Sequence, residues 1–142
     1  MKIQGSVALV TGANRGVGRA FVTVLLDQGA KKIYATARDL SKIADLAQPG
    51  KVEILALDIT NAAQVSAAAA KASDVNLLVN NAGVNKMSGF IAAKNLDGAR
   101  AEMEANYFGT LAMCRAFAPV LKANGGGAIS NVVTIVSRVT IP

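Results

Sequence analysis

Short apolar runs alternate along the chain with segments whose apolar positions recur every three or four residues. Residues 6–10, SVALV, are apolar and rich in β-branched side chains, and they end at Thr11-Gly12. That pattern predicts a buried strand followed by a turn. Over residues 16–28, Val17, Ala20, Phe21, Val24 and Leu25 recur at helical spacing, and Gly29 supplies the stop. A second strand is expected at 32–37 and a short helix at 41–47, with Ser41 as its cap and Pro49-Gly50 as its terminator. A third strand at 52–57, an Ala-rich helix at 61–72 and a fourth strand at 75–79 follow. A long helix at 96–123 ends at Asn124 and the glycines 125–127, before a fifth strand at 128–136.

Strands that alternate with helices, each apolar on both faces, imply a parallel sheet covered on both sides. The expected architecture is α/β, a Rossmann-type doubly wound sheet with strand order 3-2-1-4-5. No internal repeat, low-complexity linker or shift in composition divides residues 1–142, so one domain is expected.

Composition narrows the class. The 142 residues are 52% hydrophobic and 17% charged, too apolar for a disordered chain. No apolar run approaches the roughly 18 residues that span a bilayer, and the N-terminus lacks the pattern of a signal peptide. Cys114 is the single cysteine, which excludes a disulfide framework and leads to an expected cytoplasmic location. It lies in an apolar helical stretch and reads as core. Neither a membrane partner nor a metal site is expected.

Charge is uneven. Fifteen Lys and Arg against nine Asp and Glu give +6. Residues 1–38 hold Lys2, Arg15, Arg19, Lys31, Lys32 and Arg38 against Asp27 alone. A nucleic-acid surface would pair a basic stripe with stacking aromatics. Aromatics make up only 4% here and none flanks Arg15 or Arg38, so no nucleic-acid partner is expected. Two readings remain: a solvated basic face, or a site for a small, multiply anionic ligand.

The segment Thr11-Gly12-Ala13-Asn14-Arg15-Gly16-Val17-Gly18 joins the first strand to the first helix. Gly12 suits a tight turn, Gly16 a close approach of backbone to a pyrophosphate, and Gly18 close packing of helix on strand. The helix N-terminus offers free N–H groups and partial positive charge to an anion. No Gly-Lys-Ser/Thr follows, so this is not a P-loop. The spacing Gly-x-x-x-Gly-x-Gly, the preceding Thr11 and the Asn80-Asn81-Ala82-Gly83 after strand four resemble the short-chain dehydrogenase/reductase family. The likeness runs from about Lys2 to the last residue.

The resemblance implies an oxidoreductase that moves a hydride between a nicotinamide cofactor and a small carbonyl or alcohol substrate. Gly12, Asn14, Arg15, Gly16, Val17 and Gly18 would cradle the cofactor. Ala37 stands where the family's NAD users carry Asp, and Arg38 follows it. A guanidinium takes a 2′-phosphate bidentately where a carboxylate would repel it. NADP(H) is therefore the expected cofactor, with Arg15 as a second basic contact. The competing assignment gives a ribose contact to Asp39. Asp58 resembles the family's adenine contact, and alternatively serves as a helix N-terminal carboxylate. Asn80, Asn81, Ala82 and Gly83 look like the motif that supports the sheet and lines the cofactor ribose.

The family's catalytic set comprises Tyr, Lys, Ser and Asn. Asn106 matches the Asn, a residue poorly favoured inside a helix. Thr134 takes the place of the Ser, with Ser137 as its rival. Neither Tyr34 nor Tyr107 lies in a Tyr-x-x-x-Lys, and the chain has no His. The expectation is thus the N-terminal, cofactor-binding part of the family fold, either of an enzyme or of a module that holds NADP(H) without turnover. An apolar fifth strand at the sheet edge and the long helix lead to an expected homo-oligomer.

Overall fold

The computed structural model describes residues 1–87 and 91–134. Within them lie β1 (Val7–Val10), α1 (Gly16–Asp27), β2 (Lys32–Ala37), β3 (Val52–Ala56), α2 (Ala62–Lys71), β4 (Leu77–Asn80), α3 (Asp97–Glu102), α4 (Thr110–Ala123) and β5 (Ala128–Asn131). The sheet is parallel throughout and ordered β3-β2-β1-β4-β5, as the alternating pattern implied. Among the described residues, no helix is long and apolar enough to cross a membrane.

Strand alternation sorts the core into two layers. Val7, Leu9, Leu78 and Tyr34 pack with Val65, Ala68, Met113, Phe117 and Leu121 of α2 and α4. Ala8, Val10, Ile33, Ala35 and Val79 pack with Val22 and Leu25 of α1. Phe117 and Met113 are completely buried. Small side chains on β1 and β2 let α1 lie close to the sheet.

The apolar phase of α1 differs from the expected one. Gly18, Val22 and Leu25 face the sheet, while Val17 and Val24 are 58% and 51% exposed. The reason is steric. A Cβ on Gly18 would lie 2.2 Å from the Gly12 carbonyl oxygen, so this face of the helix is the one that can approach. The turn after Gln28 uses Gly29 at φ +80°, as the pattern indicated.

Three other boundaries move. The segment 41–47 forms two 3-10 turns, Leu40–Lys42 and Ala44–Leu46, and the first is capped by Asp39 rather than Ser41. Strand four begins at Leu77; just before it, the Val75 carbonyl accepts from the Asn124 side chain and the Asn76 side-chain oxygen accepts from the Val7 N–H. Strand five stops at Asn131, and residues 135 and 136 lie outside the described residues. Asn61 caps α2 by accepting from the Gln64 N–H at 3.1 Å. The long helix is interrupted by a π-helical turn, Met103–Gly109, which contains Asn106.

A polar network closes the opposite end of the sheet from the glycine turn. The Tyr34 hydroxyl donates to Asp74 at 2.8 Å and accepts from Lys32 at 2.6 Å. Lys32 and Lys71 both reach Glu53, at 3.1 and 2.8 Å. Burial raises the pKa of Tyr34, and the Lys71 ammonium holds the Glu53 carboxyl below the usual range. The network ties β2 and β3 to α2 and the turn after it.

Candidate functional site

A cleft of about 710 Å³ opens above the C-terminal ends of β1 to β4. It is the place where chain connections depart to opposite faces of a doubly wound sheet, and ligands bind there in such folds. Its walls include Gly12, Asn14, Arg15, Gly16, Val17, Gly18, Arg38, Asp58, Asn81, Ala82 and Gly83. Every expected cofactor-binding residue except Asn80 is therefore gathered at one opening.

The floor is set by Thr11 and Asn81. The Thr11 hydroxyl accepts from the N–H groups of Asn81 and Ala82, both at 2.9 Å, and donates to the Val79 carbonyl at 3.4 Å. The Asn81 amide donates in return to the carbonyls of Thr11 and Gly12, at 3.0 and 3.2 Å. Five hydrogen bonds thus join the loops after β1 and β4 across 68 to 71 residues of sequence. Gly12 lies so close to Ala82 that its absent Cβ would sit 3.0 Å from the Ala82 Cα.

Gly16 has φ +52°, in the left-handed region, and an added Cβ would meet nothing within 4 Å. A side chain there would project into open space beside the helix N-terminus, the position an incoming phosphate needs clear. Arg15 precedes α1 in extended conformation and provides no side-chain cap, and the first turn carries no acidic residue. The first N–H groups and the partial positive charge of α1 are left for a ligand. These residues fit a dinucleotide pyrophosphate.

Arg38 lines the cleft beyond β2, while Asp39 does not. The Asp39 carboxylate accepts from the Ser41 hydroxyl at 2.7 Å and its N–H at 3.0 Å, which hold its pKa down. Asp58 lines the cleft beyond β3 and caps the turn at Thr60, its Oδ1 accepting from the Thr60 N–H and hydroxyl. The Thr60 N–H lowers the Asp58 pKa most, and the nearby Arg38 charge adds to this.

The basic excess is more dispersed than a single ligand site requires. Of the six basic residues in the first 38, only Arg15 and Arg38 line the cleft. Arg19 pairs with Asp45, and Lys32 joins Glu53 and Asp74 at the other end of the sheet.

Asn80 faces away from the cleft. It is 4% exposed, and its amide donates to Asn131 of β5 at 2.9 Å and to the Cys114 sulfur at 3.4 Å. Its side chain serves the sheet, because the last residue of a strand places its side chain on one face only. Asn106 is fully engaged with Val84, accepting from its N–H and donating to its carbonyl, both at 2.8 Å. Thr134 follows β5 and is exposed, outside the cleft walls. Ser137 lies outside the described residues.

The cleft also includes residues that no sequence signal identified. Ile59 and Thr60 adjoin Asp58, and Val84 adjoins the Asn80–Gly83 motif, so proximity alone pointed to them. Asn85, Lys86 and Glu104 had no signal. They reach the cleft through the course of the loop after β4 and the π turn.

Replacing Thr11 by Val takes the partner from two half-buried N–H groups, and the expected loss is about 1–3 kcal/mol of stability. Thr11→Ser restores most of it. Urea unfolding of both variants measures this, and equal stability of Thr11→Val and the parent contradicts the role assigned to the hydroxyl.

Comparison with known proteins shows the family. The short chain dehydrogenase family model matches residues 6–142. A short chain dehydrogenase from Burkholderia cenocepacia J2315, solved in complex with NADP, is 50% identical with a TM-score of 0.93. That match covers 100% of this chain and 59% of the other. A metagenomic short-chain oxidoreductase, also in complex with NADP, is 31% identical with a TM-score of 0.85, over 98% of this chain and 66% of that one. A 3-ketodihydrosphingosine reductase from Bacteroides thetaiotaomicron is 30% identical over 99% of this chain and 51% of its own length. The chain spans about half the length of such curated relatives. A glycine-lined cleft at the C-terminal edge of this sheet and a family match over most of the chain lead to one conclusion: the chain belongs to the short chain dehydrogenase family of oxidoreductases.

Proposed function

We propose that the cleft holds NADP(H) and that the protein reduces a carbonyl compound, or oxidises the matching alcohol. The observation that carries this reading is Arg38. It stands at the end of β2 in the cleft wall and forms no hydrogen bond or ion pair among the described residues. Ala37 beside it presents no carboxylate, and Asp39 is committed to Ser41. The NADP bound in the 50% identical Burkholderia protein supports the same choice.

When bound, the nicotinamide group supplies or accepts the hydride. The chain's own residues do the rest. Arg38 neutralises the 2′-phosphate, with Arg15 adding a second positive charge at the glycine turn. The α1 N–H groups around Gly16, Val17 and Gly18 receive the pyrophosphate. Asp58 accepts from the adenine amine with the carboxylate oxygen that Thr60 leaves free. Asn81, Ala82 and Gly83 line the ribose beyond β4, and Thr134, which follows β5 outside the cleft walls, carries the hydroxyl that the family resemblance assigns to the substrate carbonyl. Asn106 is a positioning residue in this account, since its amide is spent on Val84. The cytoplasmic location belongs to the same reading.

A second reading is binding without turnover by these 142 residues, and the two tyrosines favour it. Tyr34 is buried in the network with Lys32 and Asp74, and neither it nor Tyr107 lines the cleft. Self-association belongs with either reading. Met103, Tyr107 and Leu111 are spaced four apart on the long helix and are all exposed, as is Ile129 on β5. Sedimentation is expected to show dimers or larger species at high concentration, and a clean monomer contradicts this.

Arg38→Ala should weaken NADPH binding by about 1.5–3 kcal/mol, the value of a hydrogen bond to a charged group, and leave NAD binding nearly unchanged. Fluorescence titration of both cofactors measures it. Equal affinity of the parent protein for NAD and NADP overturns the assignment. Oxidation of NADPH with a panel of ketones by the same preparation excludes binding without turnover.

A further inference from the structure

Beyond β4, the segment from Val84 to Met87 is held as a fixed hook. Asn106 grips both backbone groups of Val84 at 2.8 Å, and the Glu102 carboxylate accepts from the Lys86 N–H at 2.5 Å. The Asn85 side-chain oxygen accepts from the Met87 N–H at 2.8 Å, and Met87 adopts φ +50°, a conformation L side chains rarely take. Three hydrogen-bonding side chains therefore dictate the backbone of four residues, three of which, Val84, Asn85 and Lys86, line the cleft.

The hook presents a surplus of donors. The Asn85 oxygen is consumed by Met87, which leaves its NH₂ group, and the Lys86 ammonium has no acceptor among the described residues. Glu104 carries the opposing charge on the helix side of the cleft, yet it makes no ion pair with Lys86. Both side chains are exposed and open to a ligand, so donors without a protein partner on a held backbone favour an acceptor-rich ligand, and an ammonium favours an anion.

Strand order locates that partner. Arg38 follows β2 and the glycine turn follows β1, whereas the hook follows β4 on the far side of the turn. A dinucleotide with its 2′-phosphate on Arg38 and its pyrophosphate on the glycine turn directs its reactive half toward the hook. We infer that Lys86, with Asn85, recognises a carboxylate on the substrate, so that the carbonyl compound is an oxo acid and its reduced partner a hydroxy acid. This rests on the dinucleotide reading above.

The test needs no turnover, because NADP⁺ and an oxo compound are both oxidised and do not react. Calorimetric titration of the NADP⁺-loaded chain compares pyruvate with methyl pyruvate and acetoacetate with methyl acetoacetate. At least one acid of the two pairs is expected to bind about tenfold more tightly than its ester. Lys86→Met should erase that preference, Lys86→Arg should keep most of it, and both should bind NADP⁺ within about twofold of the parent. Equal binding of acids and esters by the parent overturns the inference. So does a Lys86→Met variant that loses NADP⁺ affinity in step with the acid, which would make Lys86 a cofactor contact. Failure of NADP⁺ to bind the parent is seen before any acid is added, and it overturns the dinucleotide reading itself together with this inference.

Discussion

The joint between Thr11 and Asn81 is the constraint on which the site depends. β1 and β4 are neighbours in the sheet, yet the chain leaves them toward opposite faces, α1 on one and the α3–α4 stretch on the other. That divergence opens the cleft. The loops still need a fixed separation, and one hydroxyl and one carboxamide supply it by bonding half-buried backbone groups of both loops. Gly18 then packs against the same joint. Its missing Cβ would strike both the Gly12 carbonyl and the Asn81 amide, at 2.2 and 2.4 Å. The rotation of α1, the exposure of Val17 and the aim of the first helical N–H groups all follow from that close approach.

Much of this was legible in the sequence because parallel strands announce themselves as apolar runs and glycines mark where backbone must turn or come close. The sheet order and the gathering of Gly12, Gly16, Gly18, Arg38, Asp58 and Asn81 at one opening came through intact. The phase of α1 did not, since an apolar pattern gives no weight to a glycine, and Gly18 decides which face turns inward. Asn80 and Asn81 are identical letters with opposite duties, separated only by which side of the strand end each faces. The π turn around Asn106 has no signature in composition. It is set by the bonds to Val84, which come from 22 residues away. Lys86 and Glu104 reach the cleft only through such long-range placement.

Charge shows the same division between local pattern and tertiary placement. The basic residues near the N-terminus left a solvated face and a single anion site both open, and the fold distributes them. Two face the cleft, one is neutralised by Asp45, and Lys32 joins a network that ties β2 to β3 and α2. What matters for a ligand is which cations lack a partner. Among the described residues, Arg38 at one end of the cleft and Lys86 at the other form no ion pair, and the carboxylates Asp39 and Glu102 beside them are occupied with backbone N–H groups. The cleft therefore has a cation at each end and helix N–H groups between.

In the function proposed for this cleft, a phosphorylated dinucleotide lies across the opening from Arg38 to the loop after β4. Titration of the isotope-labelled chain with NADP⁺, followed by backbone amide NMR, tests this most directly. The account predicts shifts concentrated at Gly12 to Gly18, Arg38, Asp58 and Asn81 to Gly83, with the Tyr34 network at the far end of the sheet unmoved. Shifts centred on Lys31, Lys32 and Lys51 at that far end, or no saturable shifts at all, would contradict it.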